Sequence, residues 1–174
     1  MKDRIKTLLP FSLTLVVFAI DQIVKSLVVR TIPYHKVGFS IGGDLIRIIH
    51  TGNKNGAFSI GWHLPDIVNI IIFWVLSTVF LTVLIIYLIK RPNDFTIYQR
   101  WLIAGIIGGG LGNQFDRFFR PNGVVDFIDV KFFGILGLER WPTFNIADAS
   151  VVICVGLLII SLFLSDKKKE SINE

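Results

Sequence analysis

Asn113, Asp116, Arg117, Asp126 and Asp129 follow one another directly after a glycine-rich apolar run, Gly108 to Gly112. Ionisable groups at the edge of a membrane span are costly, so each needs a partner or a task. Asn145 and Asp148 stand at the start of a later apolar run. Of these acids, Asp126 and Asp148 are least explained by their neighbours. Each is flanked by apolar residues (VVDFI, NIADASV), with no basic residue within three positions. Two carboxylates brought together in a half-apolar setting share one proton, and their apparent pKa values split. One can then take a proton from water while the other polarises a carbonyl. That is aspartic-peptidase chemistry, and it requires no Ser, Cys, metal or cofactor.

The other polar residues have plainer readings. Asp21 and Lys25 are one helical turn apart and fit an ion pair that locks the first apolar run. Arg117 can neutralise Asp116 or draw toward lipid headgroups. Asn145 can cap the helix that follows it. Asp129 reads as a solvated loop acid. Cys154 lies within VVICVGLLII and reads as a small buried apolar residue. His35, His50 and His63 lack metal-site spacing and read as loop residues. Gly105 with Gly109, and Gly108 with Gly112, are small residues four apart, a pattern that lets another helix backbone approach. No nucleic-acid motif is present, and the basic residues read as topology signals.

Four spans must position these groups. The chain has 174 residues, 52% hydrophobic and 18% charged, with mean hydropathy +0.64. Its long uncharged runs place it in the membrane class. The spans are read at about 8–29, 67–89, 101–119 and 147–164, within one integral domain covering 1–174. The charged tail, about 165–174, reads as disordered. The first run is read as a retained span, because it is long, holds Asp21 and has no small-x-small cleavage site. Segment 37–50 carries β-branched residues around a Gly-Gly-Asp turn, which suggests short strands.

Lys and Arg concentrate at the N-terminus (Lys2, Arg4, Lys6), in the 90–100 loop (Lys90, Arg91, Arg100) and in the tail (Lys167 to Lys169). Both termini and that loop are therefore predicted in the cytoplasm, with the 30–66 and 120–146 loops outside. Trp62, Trp101 and Trp141 fall near span ends, as interfacial tryptophans should; Trp74 lies deeper and receives no role. This topology gathers the unusual polar groups into one layer at the outer membrane boundary. A proton-coupled carrier would instead carry acids near the midplane.

Read together, DQIVK, the GNKNGAFS box, GGGLGNQFDR, VVDFID and FNIADAS resemble the lipoprotein signal peptidases, the type II signal peptidases of bacteria. The last three, in this order at the ends of two spans, are the specific part. The resemblance implies an all-α membrane protein, with four spans, a small extracytoplasmic β-cradle and a short outer helix. It implies a catalytic pair at Asp126 and Asp148, the pair singled out above on chemical grounds. Supporting positions carry over to Asp21, Lys25, Asn113, Arg117 and Asn145. It further implies a membrane aspartic endopeptidase of the bacterial inner membrane, with its active site on the outer face. The substrate would be a diacylglyceryl-modified prolipoprotein, cut just before its lipidated Cys; membrane lipid and the inhibitor globomycin would be its other partners.

The chain departs from the family pattern twice. The loop box reads Asn53-Lys54-Asn55-Gly56-Ala57-Phe58. Gap-free alignment on Phe58 selects Asn53 as the functional Asn, while alignment on Asn-Gly selects Asn55; Asn53 is preferred. The 117–126 loop is one residue longer than usual, and the addition at Pro121-Asn122-Gly123 is expected to be a harmless surface turn.

Overall fold

The computed structural model describes residues 6–54 and 63–173. The helices are α1 (Phe11–Thr31), α2 (Asp66–Asn69), α3 (Ser77–Lys90), α4 (Ile97–Phe119) and α5 (Ile146–Asn173). A π-helical stretch, Ile70–Leu76, joins α2 to α3 as one continuous rod. The strands are β1 (Val37–Ile41), β2 (Ile46–Asn53) and β3 (Val124–Val130), in an antiparallel sheet of order β1-β2-β3. The protein is thus mostly helical with a small three-stranded sheet.

Among the described residues, three helices are long and apolar enough to cross a bilayer: Lys6–Thr31, Ile67–Lys90 and Ile146–Ser165. Their outward residues, among them Leu15, Ile23, Val79, Phe80, Val83, Ile153, Ile160 and Phe163, are exposed large hydrophobics. Water would penalise such a surface and lipid would not. The fourth long helix, α4, has 23 residues, about 35 Å at 1.5 Å per residue. It is more polar than the other three because its contacts are with protein. Ile103, Ala104, Ile107, Gly108, Gln114 and Asp116 are all buried along it.

Its glycines explain the close packing. A Cβ on Gly105 would meet Cys154 Sγ at 2.5 Å, and one on Gly109 would strike the Ala147 carbonyl, both on α5. A Cβ on Gly108 would come within 2.9 Å of the Thr14 carbonyl on α1, and one on Gly112 within 2.7 Å of Asp21 Oδ2. The two glycine pairs therefore serve two different neighbours. Hydroxyls stitch the same seams: Thr14 Oγ1 donates to the Ala104 carbonyl at 2.7 Å, and Ser150 Oγ to that of Gly105 at 3.2 Å. Cys154 fills the space opposite Gly105, as its apolar setting suggested.

Local signals set the helix ends. Thr96 and Gln99 form a reciprocal capping box that starts α4. At the other end of α1 the sheet packs down on the bundle, with Val125 and Phe127 against Val28 and Ile32. The register between β2 and β3 shifts between Ile48 and Thr51. This bulge lies opposite the stretch from Asp126 to Ile128, where it re-aims side chains.

The backbone of α5 is helical from Ile146 to Asn173, past the limit of 164 read for the span. In the 120–146 loop, one of the two expected to hold the cradle and short outer helix, the helical element is a single 3-10 turn, Ile135–Gly137. Trp62, Asn55, Lys2 and Arg4 lie outside the described residues.

Candidate active site

Asp126 sits on β3 and is 2% exposed. Its two oxygens accept from different amides: Asn53 Nδ2 at 3.1 Å and Asn145 Nδ2 at 2.7 Å. Burial pushes its carboxyl up to about 7, and the charge of Asp148 adds to this. The two amides and the more distant Lys25 pull the other way. Near neutral pH Asp126 is thus poised between its two protonation states, as a general acid–base group should be.

Asp148 is positioned by the start of α5. The Asp148 N–H donates to Asn145 Oδ1 at 2.9 Å, and the Asn145 N–H donates back to Asp148 Oδ2 at 3.2 Å. This is a capping box with Asn in place of Ser or Thr, and Asp in place of Glu. The cap of α5 and the link to Asp126 are therefore made by one residue, Asn145. Its backbone holds Asp148 while its side chain holds Asp126. The next orphan amide of α5, that of Ala147, donates to Asp21 Oδ1 at 3.0 Å.

The other oxygen of Asp148 accepts from Asn113 Nδ2 at 2.7 Å. Asn113 Oδ1 accepts from Lys25 Nζ at 2.9 Å and from Asn145 Nδ2 at 3.2 Å. Those two donors fix which way the Asn113 amide points. Lys25 is fully buried and pairs with Asp21 and with Asp116, each at 2.8 Å. Asp116 also receives Arg120 Nε at 2.7 Å, Gln22 Nε2 at 3.2 Å and the Val125 N–H at 3.1 Å. A buried charge without a partner is expensive. Here each has at least one, and the network ties α1, α4, β3 and α5 together.

The residues expected from the sequence thus converge: Asp21, Lys25, Asn53, Asn113, Asn145, Asp126 and Asp148 form one hydrogen-bonded set. Arg117 adjoins it. Its guanidinium interacts with the charges of Asp148 and Asp126, and its Nη1 donates to Gln114 Oε1 at 3.0 Å. Two readings need correction. Asp116 is paired with Lys25 and Arg120 rather than with Arg117. Asp129 is no solvated acid: it is 2% exposed and accepts from Arg47 Nη2 at 2.5 Å and Arg140 Nε at 2.6 Å. The Pro-Asn-Gly turn is exposed at Pro121 and Asn122, while Gly123 is buried at φ +77°, where a Cβ would strike the Asn53 carbonyl. Gln22, Arg120 and Gln114 were missed. Their signal was their position, within one helical turn of Asp21, Asp116 and Arg117.

An apolar groove of about 240 Å³ opens beside the site, lined by Trp141, Phe144, Asp148, Ala149, Val152 and Ile153. It runs from the outward face of α5 to the Asp148 carboxyl.

A buried, amide-held pair of aspartates in a bundle of membrane-crossing helices defines the class: a membrane aspartic peptidase. The family model described as Signal peptidase (SPase) II matches residues 13–164. A lipoprotein signal peptidase of Treponema pallidum (strain Nichols) is 46% identical over 155 residues, 89% of this chain and 82% of that one. One from Treponema denticola is 43% identical over 174 residues, covering 100% and 99%. A solved bacterial membrane enzyme superposes with TM-score 0.73 at 28% identity, over 92% of this chain and 90% of its own. The chain belongs to the signal peptidase II family.

Proposed function

We propose that this chain removes the signal peptide from diacylglyceryl-modified prolipoproteins, cutting just before the lipidated Cys. The observation that carries the reading is Asn145, whose backbone N–H bonds Asp148 while its side chain bonds Asp126. One residue thereby couples two carboxylates from different elements. The relatives' own names, lipoprotein signal peptidase, supply the substrate class.

In this reading Asp126 and Asp148 hold the hydrolytic water between them. The proton-bearing carboxyl, Asp126 in the neutral range, polarises the scissile carbonyl, and its partner takes the proton from water. Asn53, Asn113 and Asn145 orient the pair, Arg117 offers a cation to the developing oxyanion, and Lys25 with Asp21 anchors the assembly. A diacylglyceryl chain would lie in the groove bounded by Trp141 and Val152, its apolar lining matching an acyl chain.

The membrane arrangement is part of the proposal. Helix α1, the rod Ile67–Lys90, α4 and α5 are four spans of one integral domain in a bacterial inner membrane. Both termini face the cytoplasm, and the sheet and the aspartates face outward. The length of α4 and the distribution of Lys and Arg support this. Globomycin, by family resemblance, would occupy the same site.

The test is cleavage of a lipidated precursor by the purified enzyme, with and without globomycin, beside Asp126→Asn and Asp148→Asn. Wild type should cut and globomycin should block it, while both variants should insert normally and cut nothing. Normal processing by either variant would remove the dyad assignment.

A further inference from the structure

Gln114 is buried, at 4% exposure, on the face of α4 that meets α3. Around it lie Phe18, Leu81, Leu111, Phe115 and Phe118, and an apolar side chain would pack there without cost. An amide in such a place must have its hydrogen bonds made. All of its groups are engaged. Nε2 donates to the Trp74 carbonyl at 2.8 Å and to Thr78 Oγ1 at 2.5 Å, while Oε1 accepts from Arg117 Nη1 at 3.0 Å.

The two ends of that amide reach different things. The Trp74 carbonyl belongs to the π-helical stretch Ile70–Leu76, whose altered pitch leaves carbonyls to be satisfied from the side. Thr78 Oγ1 donates to the same carbonyl at 2.6 Å. Arg117 lies one turn further along α4, where positions i and i+3 are neighbours, and its guanidinium interacts with the charges of Asp148 and Asp126. The amide cannot be reversed, because its nitrogen faces two acceptors and its oxygen faces a donor.

We infer that Gln114 is a positioning residue for the peptidase reaction: it anchors the Arg117 guanidinium to the π-helical turn of the second span and so sets where that cation stands relative to Asp126 and Asp148. The inference rests on the reading above in which Arg117 acts on the dyad. The charged groups facing the dyad are Lys25 and Asp21 from α1 and Arg117 from α4, with Asp116 beside Arg117. Lys25, Asp21 and Asp116 are tied in the ionic network, so Arg117 is the one whose placement depends on Gln114.

The experiment compares wild type with Gln114→Leu, Gln114→Glu and Thr78→Val, on a lipidated precursor, recording kcat, KM, the pH profile and the melting temperature. Gln114→Leu should lower kcat about tenfold with KM nearly unchanged, as misplacement of a charged group does. Withdrawal of a cation raises carboxylate pKa values, so its profile should also move to higher pH, by about half a unit. Gln114→Glu keeps an oxygen facing Arg117 but cannot donate to the Trp74 carbonyl, so it should recover part of kcat. Thr78→Val should alter melting temperature alone. A Gln114→Leu enzyme with lowered melting temperature but unchanged kcat and pH profile would overturn the inference. So would Gln114→Glu as slow as Gln114→Leu, or Thr78→Val as slow as either. None of these outcomes touches the dyad, whose failure would show instead as activity in Asp126→Asn.

Discussion

Two aspartates on β3, Asp126 and Asp129, are equally buried and oppositely furnished. Both are 2% exposed. Asp129 faces two guanidinium groups, Arg47 and Arg140, which Asp44 also joins. Asp126 faces two neutral amides and a second carboxylate. An amide satisfies a carboxylate's lone pairs without supplying a charge. Burial therefore acts with little opposition at Asp126, and its pKa climbs to about 7. The clamp around Asp129 staples β2, β3 and the 131–140 loop; the amides around Asp126 leave a group that titrates near neutral pH. The difference between the two acids lies in their partners, three residues apart on one strand.

This contrast can be broken most directly by removing each charge. Asp126→Asn should reduce precursor cleavage about a thousandfold or more while leaving the fold intact, since a general acid–base group is lost. Cleavage by Asp126→Asn above a hundredth of the wild-type rate would make the two acids alike. Asp129→Asn should do the reverse. It leaves two half-buried guanidinium groups facing a neutral amide and should cost about 3 kcal/mol of stability. Activity per folded molecule should stay close to wild type. Thermal unfolding in detergent, run beside the cleavage assay, separates the two effects.

A third prediction concerns pH. The folded-state pKa of Asp126 lies above its ordinary 3.8. Its contribution to stability is therefore fully present below about pH 4 and lost as pH rises through about 7. Wild type should fall in stability relative to Asp126→Asn across that window, by up to about 1.4 kcal/mol per pH unit. Cleavage should decline as pH rises past about 7, because Asp126 then loses its proton. Melting curves and rates from pH 5 to pH 8 read both. Flat relative stability across that range would mean Asp126 has an ordinary pKa.

The smallest expected effect sharpens the same comparison. Asn53 donates to Asp126 and holds its pKa down. Asn53→Ala should move the alkaline limb of the cleavage profile upward by a fraction of a pH unit. An unmoved limb would assign Asn53 to loop structure alone.

Much of this arrangement was present in the linear chain. Apolar run lengths marked the helices. The flanks of Asp126 and Asp148 identified them as acids without local partners. Glycine spacing announced the tight seams of α4, although not that one pair meets α5 and the other α1. These features are local, and local spacing is what helical and strand periodicity expose. Asp129 shows the limit. Its sequence neighbours resemble those of Asp126, and only strand pairing with Arg47 and the return of Arg140 made it an ion-pair acid. Asp116 was given to the adjacent Arg117, yet Lys25, ninety-one positions away, and Arg120 hold it. Gln114 stands one helical turn before Arg117, which the chain shows, but its partners Trp74 and Thr78 lie on another element, which it does not. Which charge meets which is decided by helix packing and strand register, since the energy of a buried ion depends on groups a few ångströms away in space and not on those nearest along the chain.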